Sequence, residues 1–211
     1  MKRLWTIFWI LCAALPLAAS GYAPRTVKIK PLESYPARIA VGTITIAADP
    51  YPTDERSFSA FDVKHLNSRG YFPIHVIVQN LSSDFLIMRT RNIVLVTSSG
   101  EQLFTTPISV LVEDIFKASS ADKLSKKKSA KSPARTKVAS PLTDFSAKDL
   151  TNKLVDPGKI SDGFLFFYSP DPKQNIFAGS TLFIPKLEEE GTRKSIGPFS
   201  IPMDPALSKL K

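Results

Sequence analysis

The 211-residue chain is poor in the residues that staple, ligate or catalyse, with one cysteine, two histidines and two tryptophans. Cys12, Trp5 and Trp9 all fall near the amino terminus, so nothing beyond them can form a disulfide. Stability must therefore come from a hydrophobic core. Without an indole ring the rest of the chain lacks the broad aromatic platforms of a dedicated glycan-binding module. His65 and His75 have no HxH or HExxH neighbour, which argues against zinc, and no glycine-rich phosphate loop or nucleophile elbow occurs. No cofactor is expected. His75 lies in an apolar run, on the face opposite Ile74 and Val76, where a hydrogen-bonded structural histidine is expected rather than a base.

What is present begins with Lys2 and Arg3, an uncharged run from Leu4 to Leu17, and the small residues Ala18, Ala19, Ser20 and Gly21. That layout predicts a secretory leader ending at Ala19, Ser20 or Ala23, taken as residues 1–23. Leu4 to Ala19 is shorter than the roughly 20 residues of a spanning helix. Cys12 precedes the cleavage region and follows the bulky Leu11, which argues against lipidation. The expected location is the periplasm or cell envelope.

The formal charge of +9 suggests a nucleic-acid binder until the charges are placed. Lys2 and Arg3 belong to the leader, and eight basic residues against Asp122 lie between Lys117 and Lys137, so the remainder is neutral by count. The stretch 118–141 is rich in Ser, Ala and Lys and almost devoid of large apolar residues, which predicts a disordered insertion. Its cations Lys123, Lys126, Lys127, Lys128, Lys131, Arg135 and Lys137 are candidate contacts for an anionic lipid surface or an acidic envelope polymer. The absence of aromatic residues to stack on bases argues against nucleic acid.

On either side the chain reads as mainly β. Strands are predicted over Ile39 to Ala47, Phe72 to Gln79, Asp84 to Met88, Asn92 to Thr97, Gly163 to Tyr168, Thr181 to Ile184 and Phe199 to Ile201. The uniformly apolar Phe164 to Tyr168 predicts a central strand covered on both faces. Short helices are predicted from Pro107, where Ile108, Leu111, Val112 and Ile115 recur at helical spacing; from Ser146 through Leu150 and Leu154; and around Phe61 to Asn67, ended by Gly70. The resulting organisation is a linker over 24–37, a two-sheet β-sandwich over 38–203 and a tail over 204–211.

His75-Val-Ile-Val-Gln-Asn80-Leu-Ser-Ser, then Asn92-Ile-Val-Leu-Val-Thr-Ser-Ser-Gly100-Glu, then Asp156-Pro-Gly158 ahead of Gly163-Phe-Leu-Phe-Phe, resembles the immunoglobulin-like domains of bacterial exported proteins and lipoproteins of unknown function. The resemblance spans about residues 38 to 202 and implies an immunoglobulin-like sandwich more than an activity. Two functional classes follow. One is a non-enzymatic exported envelope protein that binds an unidentified protein partner or supports envelope structure. The other is a hydrolase or metal-dependent enzyme assembled from the scattered acids Asp49, Asp54 and Asp171. Asp49, Asp54 and Glu55 lack the alternating spacing of a calcium loop, Glu188 to Glu190 read as a solvated hairpin tip, and Asn80-Leu81-Ser82 fits a glycosylation sequon.

Overall fold

The computed structural model describes residues 22–89, 92–124, 140–151 and 153–210. Its elements are β1 (Arg38–Val41), β2 (Ile44–Pro50), α1 (Asp54–Ala60), β3 (Tyr71–Asn80), β4 (Leu86–Ile87), β5 (Val94–Val96), β6 (Gln102–Phe104), α2 (Ile108–Leu124), α3 (Pro141–Lys148), β7 (Leu154–Val155), β8 (Ile160–Tyr168), β9 (Thr181–Ile184), β10 (Leu187–Glu189), β11 (Ser195–Ile196), β12 (Phe199–Pro202) and α4 (Asp204–Ser208). Among the described residues the strands form three antiparallel four-stranded sheets, ordered β1-β2-β3-β8, β11-β10-β4-β7 and β12-β9-β5-β6, where the sequence predicts two sheets.

The first sheet organises the molecule because β3 is buried along nearly its whole length. Side chains alternate across a strand, so its two faces enter two different cores. Ile46, Ala48, Ile74, Val76, Leu165 and Phe167 join Leu95, Leu182, Ile184, Phe199 and Ile201 of the third sheet in one cluster. The opposite face contributes Phe164 and Phe166 to a second cluster with Phe61, Leu111, Ile115 and Phe145 from the helical layer. That double coverage accounts for the unbroken apolar run in β8.

The run does not make β8 central, however. β8 lies at the end of its sheet, paired with β3 from Tyr71 opposite Tyr168 to Gln79 opposite Ile160. Its free edge is closed by short bridges, Thr105 to Phe167 and Asp149 to Phe164. The second bridge explains Gly163: a β-carbon there would lie 2.8 Å from Leu150 Cα, in a position Leu150 needs to reach the inner core.

Several boundaries differ from the sequence reading, each for a local reason. The expected strand from Ile39 to Ala47 is a hairpin, β1 and β2, turning at Gly42 and Thr43 with Val41 opposite Ile44. Helix α1 precedes the expected Phe61 to Asn67 segment because Thr53 caps it, Oγ1 accepting from Arg56 N at 3.3 Å. Asn67–Arg69 is a single 3₁₀ turn, and Gly70 ends it as expected with φ +86°. Helix α3 starts at Pro141, a favoured first helical position, and stops at Lys148, leaving Leu150 to the core and Leu154 to β7. Helix α2 runs to Leu124, past the start of the predicted insertion, since Ala118 to Leu124 contains no Gly or Pro to stop it.

The segments read as linker and tail are packed. Leu32 and Tyr35 form a third cluster with Ala47 and Ile77. Ala206 of α4 joins the inner core. Among the described residues no helix is long and apolar enough to cross a membrane.

Candidate functional site

Three strands place Asp49, His75 and Phe164 side by side, because Asp49 is registered opposite His75 and His75 opposite Phe164. All three point to the outer, helix-covered face. His75 is 1% exposed and its ring stacks on Phe164 with centroids 4.6 Å apart and planes 14° from parallel. Its Nε2 lies 2.6 Å from Asp162 Oδ2, two residues along the neighbouring strand on the same face. This hydrogen bond holds the Asp162 carboxyl below its ordinary range, against the opposing effect of burial. An ionised carboxylate only accepts, so Nε2 carries the proton and donates it. The expectation of a hydrogen-bonded histidine is met, with a partner 87 residues away.

A cleft of about 380 Å³ opens beside His75. Asp49 lines it, accepting from Arg56 Nη2 at 2.6 Å, while the Arg56 guanidinium lies 4.7 Å from the centre of the Tyr51 ring. Stacking and ion pairing together fix the guanidinium in one orientation. Burial pushes the Tyr51 hydroxyl up to about 12, with the Asp49 charge adding to the shift. The Arg56 Nε is buried and has no hydrogen-bond partner.

The other wall is the segment read as a linker. Ala23 N and Arg25 Nη2 donate to the Asp62 carboxylate at 2.9 and 3.1 Å, Arg25 also covers the Phe58 ring at 3.8 Å, and Lys30 N donates to Tyr35 Oη. Ahead of these, Tyr22 donates to Asp144 Oδ2 at 2.5 Å and packs edge-on against Phe116. So held, the strap brings Thr26, Lys28 and Lys30 to the rim of the cleft. A smaller hollow of about 140 Å³ shares Lys30, Tyr35, Asp49 and Arg56 with it and continues to Lys209, making one groove.

The residues singled out from sequence are dispersed. Lys123 falls in the last turn of α2; Lys126, Lys127, Lys128, Lys131, Arg135 and Lys137 lie outside the described residues. Asp49, Asp54 and Asp171 are not gathered: Asp49 holds Arg56, Asp54 accepts from Asn67 N and from Ser68, and Asp171 accepts from Lys173 N. Among the described residues no three His, Cys, Asp or Glu side chains are grouped to hold a metal ion. His65 is exposed, with Nδ1 3.8 Å from Asp54. Glu188 and Glu189 belong to strand β10 rather than a hairpin tip, and Glu189 is buried. Asn80 is fully buried and donates to the Asp84 and Val155 carbonyls, so the folded sequon has no free amide. Arg56 and the strap lysines drew no notice in sequence; the only signal was an arginine seven residues after an aspartate at a strand end.

No family model and no curated protein matches the chain. Two solved structures are similar in outline. The yjhA protein from Bacillus subtilis is 10% identical, with a TM-score of 0.37 over 71% of this chain and 78% of that one. A functionally unknown protein from Listeria monocytogenes EGD-e is 10% identical, with a TM-score of 0.36 over 78% and 79%. Likeness at this level carries neither fold nor function, which rest on the chain itself.

Proposed function

We propose that this is a non-enzymatic, exported cell-envelope protein, an immunoglobulin-like β-sandwich whose helical layer presents a basic insertion to anionic surfaces while the folded body meets a protein partner. The observation that carries the reading is the packing of α2 on α3, the two helices that flank the Lys-rich stretch. Phe145 of α3 and Ile115 of α2 share one core cluster, so the two helices that flank the insertion are both rooted in the body. The separate engagement of Asp49, Asp54 and Asp171 favours binding over the hydrolase alternative.

Replacing Lys126, Lys127, Lys128, Lys131, Arg135 and Lys137 with glutamine tests the reading without changing loop length. Each cation near an anionic membrane contributes about 1 kcal/mol. Binding to phosphatidylglycerol vesicles in low salt is expected to fall by more than about tenfold, with the melting temperature unchanged. Equal binding by both proteins would remove the insertion's role.

Export makes its own prediction. Cleavage after Ala23 would remove Tyr22, which donates to Asp144 and packs against Phe116 and Phe145. Processing after Ala19 or Ser20 spares it. Amino-terminal sequencing of the protein recovered from its host is expected to read from Ser20 or Gly21, and a start at Pro24 or an intact leader would contradict this.

A further inference from the structure

We infer that the groove between the amino-terminal strap and the outer face of the first sheet binds a small hydrophilic anion bearing a carboxylate or phosphate group. This depends neither on export nor on the basic insertion. Lys28, Lys30, Arg56 and Lys209 line the two joined hollows against one lining acid, Asp49, with Asp162 bonded to the lining His75 as the second carboxylate nearby, so the cations outnumber the acids. Among the described residues Lys28 and Lys30 form no ion pair, although the strap that carries them is fastened on both sides, at Asp62 and at Tyr35. The fastened backbone thus keeps both lysines at the cleft without a protein carboxylate to pair with them.

Arg56 supplies a fixed positive charge at the cleft wall: Asp49 takes one guanidinium nitrogen and the Tyr51 ring fixes the plane. Its Nε is buried without a partner, as is that of Arg25 outside the cleft lining, so the contribution of Arg56 is its held charge and not the orphan donor. The aromatic rings are not free platforms: Tyr51 is covered by Arg56 and Tyr35 is 4% exposed. The hydroxyls of Thr26 and Ser59 at the rim suit a polar solute. At about 380 Å³ the larger hollow is near the lower end of small-molecule sites. A cation is disfavoured by the charge balance.

Amide NMR of the full chain, titrated separately with inorganic phosphate and with citrate against sodium chloride of equal ionic strength, tests the site. Shifts are expected over residues 26–30 and 49–59. The double variant Lys28→Met, Lys30→Met, both exposed positions, should keep the wild-type melting temperature and lose affinity by at least about tenfold. A response to phosphate alone assigns a phosphoryl ligand, to citrate alone a carboxylate, and to both the shared chemistry. No shift up to about 10 mM, shifts confined to residues 125–139, or equal affinity in the double variant would overturn the inference.

Discussion

Phe61→Ala is expected to destabilise the protein by about 3–5 kcal/mol and lower its melting temperature by roughly 10 °C. Phe61 is fully buried at the junction of the helical layer and the first sheet. Its ring stacks on Phe145 of α3 at 4.5 Å, meets Phe164 of β8 edge-on at 4.9 Å and lies 5.3 Å from Phe166. The Lys148 ammonium sits 5.1 Å from the same ring while donating to the Ala60 carbonyl. Truncation leaves a cavity that α3 fills only by abandoning those contacts, because the bridge from Asp149 to Phe164 fixes its carboxyl-terminal end to the sheet. Phe58 is the comparison: it is part-exposed beneath Arg25, so Phe58→Ala should cost much less. Thermal or denaturant melts of the two variants decide the matter, and a loss below about 1 kcal/mol for Phe61→Ala would mean that the layer is not packed as described.

The strands that sequence located best are those whose side chains alternate or are continuously apolar. β9 spans the predicted residues, and β3 extends its prediction by one residue at each end. A periodic apolar pattern reports which faces are covered, and the two cores on either side of β3 and β8 are that coverage. It does not report strand order. Phe164 to Phe167 are buried on both faces, yet their strand is last in its sheet and its edge is closed by bridges from distant loops. Punctuation was the other weak point. Pro141 and the Pro52-Thr53-Asp54 sequence are helix starts, but the first lies at the end of the low-complexity stretch and the second among clustered acids, where neither is followed by an apolar period that marks a helix. The division into three sheets depends on where short strands such as β4, β7 and β11 pair, and two-residue strands leave no period to read.

Of the candidate site, sequence singled out His75 and Asp49 separately but did not bring them together. Asp162 comes to His75 through the register of β3 with β8, and Asp49 through that of β2 with β3. The strap was invisible for a different reason. Residues 24–37 have few large apolar side chains, so they read as a linker, whereas much of their attachment is polar and runs through Asp62 and Tyr35. A neutral total for the folded body likewise hid a local imbalance, since charges that cancel by count need not cancel in one groove.

Asp162→Ala is expected to cost about 2 kcal/mol at neutral pH, more than most surface substitutions. The carboxylate itself is partly exposed, but the ring it anchors is not: His75 is 1% exposed, and without Asp162 its Nε2 proton has no acceptor. Asp162→Asn keeps an oxygen in place and should cost about half as much, the difference measuring the contribution of charge. The pH dependence fixes the mechanism. Hydrogen bonding from His75 lowers the folded-state value of Asp162 beneath its unfolded one, so the unfolded chain takes up the proton first on acidification. The contribution of Asp162 is complete above the unfolded value, near pH 4, and disappears as pH falls through the lower folded value. Wild-type stability should therefore fall more steeply with acid below about pH 4 than that of Asp162→Asn, and the gap between the two proteins should narrow there. Parallel curves across that range would show that the carboxylate gains nothing from His75.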